Sequence, residues 1–106
     1  MNKINLSVLN EREVIPGYHG KFIHSKKMTM AYWRIEANHS IPEHLHIHEQ
    51  VLNLLAGEFE LILDGDKMHL KAGDVVVIPS NIPHSGRSIT NCTLLDVFTP
   101  VREDLV

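Results

Sequence analysis

Pro42-Glu43-His44-Leu45-His46-Ile47-His48-Glu49-Gln50 is the stretch whose reading decides the fold. Alternate side chains of an extended chain share a face, so His44, His46, His48 and Gln50 point one way. Leu45, Ile47 and Glu49 point the other. Two imidazoles at i and i+2 can reach a common ion, and neutral imidazole suits Zn, Cu, Fe and Ni. A distant fourth donor stands at His84, after the apolar run Val75-Val76-Val77-Ile78, with Pro79 and Pro83 stiffening the segment between. The chain carries 8 histidines in 106 residues, and a cluster of them lies between Asn38 and His48, which points to metal as well.

Outward from this stretch the pattern is all β. Ile4, Leu6 and Val8 alternate with Asn5 and Ser7 and predict a half-buried strand. Pro16-Gly17 marks a turn, and Met28 to Ile35 is the next strand candidate. Phe59, Leu61 and Leu63 alternate with Glu58 and Glu60 and form core, and Asp64-Gly65 then reads as a hairpin turn into Met68 and Leu70. Ala72-Gly73-Asp74 is a turn, Val75 to Ile78 a strand apolar on both faces, and Cys92 to Thr99 the last strand, closed by Pro100. The polar tail Val101 to Val106 is expected on the surface. Many short strands with turn residues between them make a sandwich or barrel, here one domain over residues 1–106.

A net charge of -3 gives no basic footprint for nucleic acid, and no apolar run is long enough to span a membrane. Met1-Asn2-Lys3-Ile4-Asn5 lacks the apolar core of a signal peptide, and lone Cys92 has no disulfide partner, so a cytoplasmic protein is expected. A homodimer is also expected, with the Ile4-Leu6-Val8 strand added to the sheet of a second chain.

The two histidine stretches resemble the motifs of the cupin family. Asn38, five residues, His44-x-His46, three residues, Gln50, six residues, Gly57 follows the family's first motif. Gly73, five residues, Pro79-Ser80-Asn81, two residues, His84 follows the second. The resemblance implies a double-stranded β-helix, or jelly-roll, barrel holding one divalent transition metal ion (Ni, Zn, Fe, Mn or Co) on His44, His46, Gln50 and His84. Asn38 and Asn81 stand where the family often has Gly, and Asn best tolerates left-handed backbone after Gly. Gln50 stands where Glu is usual, which leaves the ion its full charge; Glu49 restores a carboxylate only if the register slips by one residue. His48 faces the pocket by period and reads as a supporting or substrate contact. His19, His24, His39 and His69 read as surface, and Tyr32 and Trp33 as core or interface.

On the last strand Cys92, Leu94, Asp96 and Phe98 share a face. An Asp among such residues is costly to bury unpaired, so Asp96 is either an ion pair with Arg87 or Arg102 or a general base in the barrel mouth, with Phe98 as a wall. Leu95-Asp96-Val97-Phe98-Thr99-Pro100 and His-x-His-x-His-Glu-Gln resemble the KdgF subgroup of cupins, which acts in pectin degradation. That resemblance implies catalytic roles for Asp96 and Phe98 and an anionic substrate, an unsaturated uronate converted to a linear keto acid. Leu52 stands where the subgroup has a further catalytic Gln. Three functions compete: a lyase- or isomerase-like enzyme on a small oxygenated acid, which Asp96 and Phe98 favour; a quercetinase-like metal dioxygenase, which apolar Leu52 and Leu54 favour; and a non-catalytic metal- or ligand-binding module.

Overall fold

The computed structural model describes residues 3–106. Met1 and Asn2, where the reading of the N-terminus begins, lie outside the described residues. Ten strands follow one another: β1 (Arg12–Ile15), β2 (Tyr18–His24), β3 (Thr29–Ile35), β4 (Ser40–His44), β5 (Glu49–Ala56), β6 (Glu58–Leu63), β7 (Asp66–Lys71), β8 (Val75–Ile78), β9 (His84–Ser88) and β10 (Cys92–Thr99). They form two antiparallel sheets, six strands in the order β1-β2-β3-β10-β5-β8 and four in the order β4-β9-β6-β7. Among the described residues no hydrogen-bonded ladder joins the sheets, so the jelly roll is two facing layers and not a closed cylinder.

Alternation explains the layers. In β10 Cys92, Leu94, Asp96 and Phe98 are buried while Thr93 and Thr99 are exposed. In β6 Phe59 and Leu61 are buried and meet Leu70 of β7 and Leu52, Leu54 and Ile78 of the other sheet in one core. The β6–β7 hairpin turns on Asp64 and Gly65 with φ of 49° and 85°, the backbone a two-residue turn needs. Asn38 and Asn81 do adopt left-handed backbone, with φ of 61° and 62°. Gly57 (φ 90°) ends the first motif where any side chain would run into the Asn91 carbonyl.

Four expectations need correction. Leu6–Val8 is a 3-10 turn and not a strand, because the Asn5 side chain accepts hydrogen bonds from Ser7 N (2.9 Å) and Ser7 Oγ (2.7 Å). Ile4 and Val8 are exposed. The stretch 42–50 is not one strand: β4 ends at His44, the chain bends, and β5 starts at Glu49 in the other sheet. Val75 (57 % exposed) and Val77 (56 %) lie on the uncovered outer face of the six-stranded sheet, at its β8 edge, and only the other face of the strand is covered. The tail turns back through Glu103–Leu105 and buries Leu105.

Candidate metal centre

His44 ends β4 and His84 opens β9, and the two are register partners in the four-stranded sheet. His46 sits in the bend between the sheets, and Gln50 enters from β5 of the six-stranded sheet. One ring nitrogen from each of His44, His46 and His84 lies within 4.8 Å of the others. Each ring is fixed the same way: Nδ1 donates to a backbone carbonyl, of Pro42 (2.9 Å), His48 (2.9 Å) and Ile82 (2.8 Å) respectively. A carbonyl only accepts, so Nδ1 carries the proton and Nε2 keeps a free lone pair. His84 Nε2 is buried without a hydrogen-bond partner. Burial pushes His84 down to about 4, and burial followed by the Arg102 charge pushes His46 below its ordinary value. Both therefore stay neutral, as metal ligands must be.

Gln50 joins this cluster to Asp96. Its Nε2 donates to Asp96 Oδ1 (2.7 Å), which turns its Oε1 toward His46 Nε2, 3.2 Å away. Two lone-pair donors facing each other beside an orphaned imidazole nitrogen are a good fit for a shared cation. Three imidazoles and an amide oxygen form a donor set for a divalent transition ion. The residues present therefore fit a metal.

Asp96 makes neither of the expected ion pairs. Arg102 pairs with Asp104 (2.7 Å) and lies over the Phe98 ring at 4.6 Å, while Arg87 reaches Glu60 (4.0 Å) and Asn38. Asp96 instead accepts from Gln50 and, on Oδ2, from Trp33 Nε1 (3.0 Å). Burial pushes its carboxyl up to about 7 against the lowering effect of these two donors. Phe98 packs edge-on against His46 with centroids 5.7 Å apart. These residues surround a cavity of about 170 Å³ that His44, His84, Gln50, Asp96 and Phe98 all line.

One residue of this site escapes a reading of the sequence. Trp33, taken there as core or interface, lines the cavity and holds Asp96. The period-2 pairing of β3 with β10, Trp33 opposite Leu94, brings its indole to the carboxylate, and no local motif marks that. Arg102, which the sequence offers as an ion-pair partner for Asp96, lines the cavity from a tail otherwise expected on the surface. His48 points inward, its Nε2 3.2 Å from the Val101 carbonyl and its Nδ1 buried and unpartnered, but it lies outside the triad. His19 is partly buried between Glu13 (3.6 Å) and Glu36 (2.8 Å), His24 and His39 are half-buried and hydrogen-bonded, and His69 is exposed.

Comparison with known proteins agrees with this geometry. Residues 31–98, more than half of the chain, match the cupin domain family. The pectin degradation protein KdgF of Dickeya dadantii is 37% identical over 65 residues, 59% of each chain. Quercetin 2,3-dioxygenase of Bacillus subtilis is 40% identical over 62 residues, 57% of this chain and 18% of that protein. The chain thus spans less than two thirds of both curated relatives. The structure of KdgF from a Halomonas species superposes with a TM-score of 0.87 at 26% identity, covering 92% of this chain and 91% of that one. With both histidine motifs in register on a two-sheet jelly roll, the chain belongs to the cupin domain family.

Proposed function

We propose that this cupin is a metal-dependent enzyme that moves a proton on a small oxygenated acid. The observation that carries the reading is the buried Asp96 carboxyl, which accepts from Gln50 Nε2 at 2.7 Å one amide away from the histidine triad and which burial pushes up to about 7. His44, His46, His84 and Gln50 would hold the ion. A bound divalent ion acidifies a neighbouring hydroxyl or enol by withdrawing electrons from the oxygens it holds. Asp96 then takes up the proton, or hands one on, at its cavity-facing carboxyl, and Phe98 walls the acid in beside it. A carboxyl with a pKa near the working pH suits both halves of that transfer.

Kinship with a pectin degradation protein makes unsaturated uronates, opened to linear keto acids, the first members of this class to assay. Wild-type protein loaded in turn with Ni, Zn, Fe, Mn or Co should act on at least one of two probes: the unsaturated sugar, followed by absorbance, or a 2-oxo acid, whose proton beside the keto group should exchange in heavy water. Asp96→Asn should bind metal yet lose about a hundred- to ten-thousand-fold of either activity. Inertness of the wild type toward both substrates with every one of these ions would defeat the proposal. A second reading, a dioxygenase needing a redox ion such as Fe, Ni or Mn, draws on the apolar cavity lining and on the kinship with quercetin dioxygenase.

A homodimer remains part of the proposal, on a different surface. The outer face of the six-stranded sheet carries Val77, Val51, Val97, Met30 and Ile23 as successive register partners across five strands. The outer face of the other sheet is charged, with Lys67–Glu60, His69–Glu58 and Arg87–Glu60 pairs. Six strands about 4.8 Å apart make a face roughly 24 Å wide, enough for an interface between two copies at the lower end of the usual size.

A further inference from the structure

The lining of the cavity beside the triad is mostly hydrocarbon, with Ile15, Ile41, Leu52, Phe59, Leu61 and Leu94 among its side chains. The polar groups that do reach it are mostly engaged with one another. Gln50 and Trp33 donate to Asp96, the Tyr18 hydroxyl donates to the His39 carbonyl, and Arg102 is held by Asp104. Hydroxyl groups spread around a sugar ring would meet these hydrocarbon walls without partners, and a buried hydroxyl without a hydrogen bond is costly. An apolar body would instead gain by leaving water. Size agrees: an engineered apolar cavity of about 150 Å³ accommodates benzene, and this one measures about 170 Å³.

We infer that the acid this site takes has an oxygenated head and a compact apolar body of about five to nine heavy atoms, in place of a polyhydroxylated ring. The inference rests on the proposed function, whose metal end would hold the head, and it narrows the substrate class. Leu52 is the specificity-determining residue: it is 4 % exposed, pairs in register with Asp96 and presents its side chain to the same cavity.

The test is calorimetric titration of the full chain loaded with Zn²⁺, using three probes. Pyruvate supplies the head alone, 4-methyl-2-oxopentanoate adds an apolar body to the same head, and galacturonate supplies a polyhydroxylated body. The branched oxo acid should bind at least tenfold tighter than either of the others. Leu52→Gln should shrink that preference below threefold, with zinc content still one per chain. Equal binding of pyruvate and the branched acid, or tightest binding of galacturonate, overturns the apolar-body inference while acid binding at the metal end survives. A chain that binds none of the three acids when loaded with zinc, or with any other of the five ions should it take up no zinc, overturns the proposed function and this inference with it.

Discussion

Asp96 and His84 are both buried and line one cavity, with opposite proton preferences, and their linkage to folding has opposite signs. Asp96 is raised from its ordinary value to about 7, so the folded chain holds that proton more tightly than the unfolded chain. Its contribution is therefore greatest at low pH and is lost as pH rises from about 4 to 7. His84 is lowered to about 4, so the unfolded chain binds its proton more tightly. Its contribution is present above about 6.5 and is lost as pH falls toward 4. In metal-free protein the two slopes oppose each other across one window. Asp96→Asn removes one of them, so the stability of the metal-free variant should climb more steeply between pH 4 and 6.5 than that of wild type, as denaturant melts at stepped pH will read. Gln50 bears on the same carboxyl. Gln50→Glu sets a second carboxylate against Asp96 Oδ1, where the amide nitrogen now lies at 2.7 Å. Near neutral pH the metal-free variant should lose about 1–3 kcal/mol. Adding Asp96→Asn should restore most of it; a double variant no better than the single one would count against this contact.

Among the elements, the loop between β8 and β9 does the most positioning. Asn81 N donates to the His46 carbonyl (2.8 Å) from left-handed backbone, tying the second motif to the bend of the first. Asn81→Gly should be tolerated, whereas Asn81→Val should cost about 1–2 kcal/mol in a thermal or denaturant melt. Much of this geometry is legible in the sequence. The inward set His44, His46 and Gln50 emerges from alternation, and it survives a bend because burial still alternates from His44 to Gln50. The positive φ of Asn38 and Asn81 follows from their places in the motifs. Alternation fails at Leu6–Val8, where one Asn side chain offers the backbone a cheaper partner than a neighbouring strand. It also fails at β8, since an apolar run does not reveal that the outer face of its sheet is uncovered. The Trp33–Asp96 bond joins residues 63 apart in sequence, and only the pairing of β3 with β10 brings them together.

Over the whole molecule the two sheets differ outside as much as inside. If the apolar outer face is where two copies meet, wild type should scatter light as a dimer at micromolar concentration, and Val97→Glu, at the middle of that face, should scatter as a monomer with an unchanged circular dichroism spectrum. A wild-type monomer would remove the dimer proposal. The proposed ligands also come from both layers: His44 and His84 from the four-stranded sheet, Gln50 from the six-stranded sheet, and His46 from the bend between them. An ion held there cross-links layers that no backbone ladder joins among the described residues, so its binding energy adds to that of folding. Stripping it with a chelator should lower Tm; at free metal about a hundredfold above Kd the loss corresponds to about 2.7 kcal/mol. Inside a cell that difference becomes a lifetime. When metal is scarce the chain opens more often and meets proteases more often, so the quantity of the protein, and not only its occupancy, should rise and fall with the metal supply.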